Sequence, residues 1–275
     1  MQNRYVGDVG DFAKYGLLRA LIGTRRYADG GPRLSLGVVW YLVSDEDNTD
    51  GGRTEYLETS NEPRFRNCDQ ELYDKLKEIV ERDQRSVGSV QGAGIFPEAT
   101  AFYGNLLTFE GLPLKKEARI AGRQEWLNGA LSETKNCDLV FFDPDNGLEC
   151  QIGPSRKKGP KYVFFDELDP FVKRGQTIVV YQHANRRCRI DEQIQRRLEE
   201  IKRRLTPISH PLALVFHRWV CRMFFIVPND KHSEIFQSRT NHFIEGPWSE
   251  HFSVHGASPQ PVPRIREIGG KLGAA

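Results

Sequence analysis

The chain has 275 residues, 39 Lys+Arg against 37 Asp+Glu, a formal net charge of +2, 39% hydrophobic and 11% aromatic residues. That length and apolar content suit one large α/β domain, or a core domain with an inserted piece, and exclude global disorder, collagen and coiled coil. Near-neutral charge excludes an overall cationic coat and leaves a local basic face open.

In chain order, Asp11–Ile22 carries Phe12, Tyr15, Leu18, Leu21 and Ile22 at helical spacing, with Asp11 as a fair N-cap and Gly23 as a stop. Residues 34–43 read as a strand buried on both faces, followed by a polar, acidic loop over 44–53. Asp69–Glu81 is amphipathic and helical. Residues 86–97 hold three glycines and read as irregular. Gly122–Thr134 reads as a helix and Cys137–Phe142 as a second strong strand. Tyr162–Arg174 reads as a helix closed by Gly175, and Gln176–Tyr181 as a third buried strand. Ile190–Leu205 is a charged helix. Leu212–Trp219 and Arg222–Val227 are two strands close enough to pair antiparallel, Lys231–Ile244 is a late helix, and the last dozen residues form a loose tail.

Strands alternating with helices, then a strand pair, predict a Rossmann-like α/β fold. Its mostly parallel sheet has an antiparallel C-terminal edge hairpin and helices on both faces. A single domain over 1–255 is expected, with a helical insertion at about 54–120 and a flexible tail over 256–275. The apolar runs are too short to span a bilayer, and the first residues lack the apolar core of a signal peptide, so a cytoplasmic location is the default. Cys68, Cys137, Cys150, Cys188 and Cys221 show no CxxC spacing, so mostly buried, reduced thiols are expected.

Ligands of such sheets sit beyond the carboxyl ends of the strands, so the residues after each strand matter most. After the first strand come Asp45, Glu46, Asp47 and Asp50, able to meet a ribose or an amino group, or merely water. No GxGxxG is present. After the second strand come Asp143, Pro144, Asp145 and Asn146, with Glu149 close by. Asp143 and the Pro144 carbonyl could converge on an exocyclic amine and orient it as a nucleophile. Alternatively, Asp143, Asp145 and Glu149 could gather Mg2+ or Mn2+. After the third strand come Tyr181 and His183, then Arg186, Arg187 and Arg189, which could meet phosphates. Arg156, Lys157, Lys158 and Lys161 form a basic loop suited to a nucleic-acid backbone or to water. Near the start, residues 7–15 (GDVGDFAKY) lead into the first helix, whose N–H groups could face an anion.

These residues resemble the class I S-adenosylmethionine-dependent methyltransferases, specifically the bacterial ribosomal-RNA adenine-N6 methyltransferases of the J type and their three-Cys-motif-partner relatives. That family opens with Gly-Asn-His-Ala-Asp-x-x-Lys-His, which Gly7, Asp11 and Lys14 match, with Tyr15 in place of the last His. Its Asp-Pro-Pro-Tyr motif is matched in its first half by Asp143 and Pro144. Gly175–Tyr181 resembles a further strand of the family, and the closing strand pair has a counterpart.

The resemblance implies S-adenosylmethionine as cofactor, a nucleic acid as substrate, and Lys14 and Tyr15 near the cofactor. It also implies that Asp143 and the Pro144 carbonyl hold the target amine. Asp145 and Asn146 replace the Pro and the aromatic, and Asp45–Asp50 stands where a glycine-rich loop would be. Two rival readings remain: a metal-dependent nuclease or phosphodiesterase using Asp143, Asp145, Glu149 and His183, and a catalytically silent member that binds RNA or a protein partner.

Overall fold

The computed structural model describes residues 1–47, 51–185, 188–205, 210–219 and 221–256. The expectations for Asp50, Arg186, Arg187 and the tail from 257 onward lie outside the described residues. Seven strands form the main sheet: β1 (Leu36–Val39), β2 (Ala101–Tyr103), β3 (Leu139–Phe142), β6 (Thr177–His183), β7 (Leu212–Phe216), β8 (Arg222–Val227) and β9 (Phe252–His255). They lie in the order β2-β1-β3-β6-β8-β7-β9, and β4 (Gly147–Leu148) pairs with β5 (Tyr162–Val163) apart from them. The β1–β2, β1–β3 and β3–β6 pairs are parallel, whereas β8 runs antiparallel to both β6 and β7. This is an α/β fold with a mostly parallel sheet, as the alternation predicts. The strand pair β7–β8 does not form the edge, because β9 adds antiparallel to β7. A short strand with half-exposed Ser253 and Val254 carries too little apolar signal to announce itself.

The sheet is covered on both faces, which explains why its strands read as unbroken apolar runs. Leu36, Val38, Leu139, Phe141, Val179 and Tyr181 pack into one core, and Val39, Val140, Phe142, Ile178 and Val180 into the other. The first face is covered by α1 (Val9–Leu21), α2 (Glu62–Arg66), α3 (Gln70–Glu81), α4 (Val87–Gly92) and α8 (Ser233–Glu245). The second is covered by α5 (Lys116–Glu133), α6 (Phe165–Lys173) and α7 (Ile190–Arg204).

Asp69 caps α3 through its side chain, which accepts from the Leu72 N–H, and α3 matches the helix read from the sequence. The irregular reading of 86–97 is corrected by α4, which Ser86 caps by accepting from Ser89 N–H. The predicted helix at 162–174 begins three residues later, because Tyr162 and Val163 pair with β4. Strand β1 is shorter than predicted: Tyr41 adopts φ 44°, which turns the chain out of the ladder. The segment 54–120 is helical through α4, but β2 belongs to the main sheet.

Helix α1 is buried on every side, so its apolar pattern does not single out an inner face. At Gly16 a Cβ atom would lie 2.2 Å from the Trp248 indole. Gly16→Ala is expected to lower stability by roughly 1–3 kcal/mol despite the better helix propensity of Ala, because the indole has to shift. Urea denaturation of the variant against the parent checks this.

Candidate functional site

Strands β1, β3 and β6 end at one edge of the sheet. From β1 the chain passes to β2 on one side, and β3 then lies on the other, so the strand order switches between β1 and β3. Such switch points open a crevice at the carboxyl ends of strands. The crevice here is bridged by the amino group of Met1, which donates to the carbonyls of Tyr41 (3.0 Å) and Asp143 (3.1 Å). Beyond it lies a cavity of about 670 Å³. Asp8, Asp11 and Lys14 line it from the amino-terminal turn, and Asp143, Pro144, Asp145 and Asn146 from the end of β3. Tyr181 and His183 contribute from β6, and Arg222 from β8. The amino-terminal turn and the Asp143-Pro144 corner therefore share one pocket.

At its floor Lys14 Nζ donates to Asp11 Oδ1 (2.8 Å) and to Asp143 Oδ2 (2.7 Å). Lys14 is 3% exposed and Asp143 1% exposed. Burial alone lowers the Lys14 ammonium, but Asp11 and Asp143 outweigh it and hold the group above its ordinary value. Burial likewise pushes the Asp143 carboxyl upward, against the pull of Lys14 and the Met1 amine. Lys14 also sits 4.8 Å from the centre of the Tyr181 ring. The Tyr181 hydroxyl is 3.0 Å from His183 Nε2, and burial lowers His183 to about 4, aided by Arg222. The imidazole is therefore neutral at physiological pH.

Arg53 and Arg222 also line the cavity, and Lys161 supports it from behind Asp145. Arg222 Nη2 donates to Asp8 Oδ1 at 2.6 Å. Lys161 Nζ lies 2.9 Å from Asp145 Oδ2 and 2.7 Å from Glu46 Oε1, and Gln2 Nε2 donates to Asp145 at 3.1 Å. Burial raises Asp145, but the Met1 amine and Lys161 overcome it and leave the carboxyl below its usual range. Asp8 thus pairs with Arg222, Asp145 shares Lys161 with Glu46, and Asp11 and Asp143 share Lys14.

Several expectations change. The N-cap of α1 is Asp8, not Asp11, and its side chain accepts from Gly10 N–H. Val9 N–H donates to the Arg53 carbonyl and Asp11 N–H to the Asp8 carbonyl, so the first N–H groups are already satisfied and do not face an anion. Tyr15 does not line the cavity: its ring is fully buried and lies edge-on to Trp40 and Phe96. Gly7 serves the turn, with φ 81° and its N–H donating to Asp11 Oδ2. Asp45 and Asp47 are exposed on the loop after β1 and do not line the cavity, and Asp45 accepts from the Arg4 N–H. Lys157 and Lys158 are exposed and line neither cavity, although Lys161 of the same loop reaches the site.

The metal-binding triad is not assembled. Glu149 accepts from Phe165 N–H and pairs with Arg204, and it lines a second cavity of about 420 Å³. Among the described residues no three His, Cys, Asp or Glu side chains gather as a metal site. Of the thiols, Cys68 and Cys137 are buried, Cys188 and Cys221 half-buried, and Cys150 exposed, so the expectation of mostly buried cysteines holds for two of them.

Arg222, Asp8, Gln2 and Met1 were not marked by sequence reasoning, and Lys161 was marked only as loop. For Arg222 a signal exists: it is the one charge opening the apolar run Arg222–Val227. The others gain meaning only from the docking of the amino-terminal segment onto β3.

No protein-family model and no curated protein matches the chain. Among solved structures, protein LPL1258 from Legionella pneumophila str. Philadelphia 1, described as DUF519, is similar at 13% identity with a TM-score of 0.42. The match covers 92% of this chain and 98% of that one.

Lys14→Met would leave Asp11 and Asp143 buried without their shared cation. A loss of about 3–5 kcal/mol in unfolding free energy is expected, read by urea denaturation at pH 7. His183 supplies a pH signature. Its folded pKa, about 4, lies below the unfolded value of 6.5, so the unfolded chain binds the proton more readily. The contribution is complete above pH 6.5 and is lost as pH falls toward 4. His183→Gln is expected to flatten the stability profile across that window, measured by denaturation at half-unit pH steps.

Proposed function

We propose that the protein is a divergent S-adenosylmethionine-dependent methyltransferase-like enzyme that methylates an amine of a nucleic acid. One observation carries the reading: the Lys14 turn and the Asp143-Pro144 corner line a single cavity at the switch point of a mostly parallel sheet. Its volume of about 670 Å³ falls within the range of small-molecule sites. The J-type adenine-N6 methyltransferases carry the two motifs that the chain resembles, and the reversed strand β8 answers to their closing strand pair.

The lining also fits the group. S-adenosylmethionine carries an ammonium, a sulfonium and a carboxylate, and the cavity presents both signs of charge. Asp8, Asp145 and Glu55 would face its cationic parts, and Arg53 and Arg222 its carboxylate. When bound, the cofactor supplies a methyl group to a nucleophile and leaves as the thioether. The protein's part is orientation. Asp143 is held by Lys14 through Oδ2, and in this reading its other oxygen and the Pro144 carbonyl accept the two N–H bonds of the amine. These two acceptors would direct the nitrogen lone pair toward the methyl carbon of the bound cofactor, and the proton shed by the nitrogen would pass to water. A neutral His183 at the rim adds no positive charge to repel the sulfonium.

Calorimetry with S-adenosylmethionine and its demethylated product is expected to show binding. Asp143→Asn, which keeps the shape of the side chain, is expected to retain that binding and to lose methyl transfer to deproteinised RNA or DNA by at least about 100-fold. No binding of either compound, or full transfer by the Asn variant, would overturn the reading.

A further inference from the structure

The resemblance places an aromatic ring after the Asp-Pro corner to stack on a base, and Asn146 stands there instead. Other rings near the corner are committed: Phe141 is fully buried in the core, and Tyr181 is 5% exposed beneath Lys14. A different aromatic is on offer at the same edge of the sheet. Strand β7 ends at Phe216 and β8 begins at Arg222, and both are in register with each other and, through β8, with His183 of the cavity. The hairpin between them presents Trp219, 47% exposed, while Trp40, Trp126 and Trp248 are buried.

Trp219 is built into place. Its ring stacks on Phe65 at 5.7 Å with the planes 17° apart. Phe65 is wedged in turn against His251 (4.9 Å), Tyr56 (5.6 Å) and Phe12 (6.1 Å). The Trp219 backbone has φ 55°, a conformation that bulky residues avoid, and a Gly or Asn would relax it. One face of the ring is thus packed on Phe65 while about half of the side chain stays exposed at a strained position.

Its neighbours are cationic. Arg64 and Arg218 converge on one carboxylate, Glu250, at 3.3 Å and 3.8 Å. Two guanidiniums thus share a single counter-charge that is itself 67% exposed. Burial and the adjacent Arg64 hold Arg218 below its ordinary value, as expected of two cations sharing one carboxylate. A stacking ring beside surplus positive charge is the combination that single-stranded nucleic acids require, one part for the base and one for the phosphate.

We propose that Trp219 is a nucleobase-stacking platform on the hairpin at the same edge of the sheet as the cavity, with Arg64 and Arg218 meeting the adjoining phosphate. The proposal rests on the nucleic-acid reading above and names where the strand is gripped.

Because the other three tryptophans are buried, emission from an exposed indole reports on Trp219. The test is titration of the full chain with a fluorescein-labelled 12-nucleotide single-stranded RNA, reading anisotropy and, with unlabelled RNA, tryptophan emission. Emission is expected to be quenched in step with binding. Trp219→Ala is expected to weaken binding about tenfold or more, and Trp219→Phe to keep most of the affinity. Circular dichroism checks that both variants fold, and quenching in the parent protein decides the matter should the Ala variant fail to. RNA that binds with unchanged emission and equal affinity for both variants overturns the stacking platform and leaves the nucleic-acid reading standing. No binding of the 12-mer by the parent, either as RNA or as single-stranded DNA of the same sequence, overturns both, whereas S-adenosylmethionine calorimetry judges the cofactor separately.

Discussion

A lysine ammonium buried between two aspartates is the contact on which the rest of this molecule turns. Lys14 ties Asp11, one turn back on its own helix, to Asp143, 129 residues further along the chain. None of the three tolerates burial alone, since an unpaired charge loses several kcal/mol of hydration. Together they force the amino-terminal segment to dock at the end of β3. Arg222 with Asp8, and Lys161 with Asp145, repeat the same device on either side. The result is a cavity whose walls are charged and whose buried carboxylates are each held by a neighbouring cation, Lys14 and Lys161 binding two carboxylates apiece.

Pairing also decides what the acidic run after β3 can do. Three carboxylates within seven residues look in sequence like a cation site. The fold sends them to three different partners. Asp143 turns to Lys14, Asp145 to Lys161 and Gln2, and Glu149 to the start of α6 and to Arg204. The short pairing of β4 with β5 is what separates the last from the first two, because it carries the chain away from the cavity immediately after Asn146.

The buried strands were legible because both faces of the sheet are covered, and so were most helices, whose stripes and caps are local. Asp69 and α3 show the case in full. Short and exposed elements were not legible: β2, β9 and the β4–β5 pair have two to four residues each and owe their form to neighbours rather than to propensity. At the site, Lys14 and Asp143 were found by motif and Tyr181 and His183 by the strand-end rule. Tyr15 and Lys14 are adjacent on a helix buried all round, so periodicity could not tell which one faces the cavity. Asp45 and Asp47 followed the rule correctly in position, but the turn at Tyr41 carries their loop into solvent.

That turn explains how a sheet of this kind manages without a glycine-rich loop. In dinucleotide-binding sheets the loop after the first strand lets backbone approach the ligand closely. Here the chain leaves β1 at Tyr41, whose hydroxyl is fixed to the buried Glu167, which also binds Arg123. The freed carbonyl of Tyr41 accepts from the Met1 amine, and Val43 N–H donates back to the Met1 carbonyl. The loop is therefore lined by another piece of main chain; Asp45 and Asp47 are exposed, while Glu46 meets Lys161 beside Asp145. Met1 lines the cavity beside the switch point, and Gly51, Gly52 and Arg53 line it from the far end of the same loop. The first N–H groups of α1 are likewise taken up within the fold, by Asp8 and by the Arg53 carbonyl, and so are not free to cradle a phosphate.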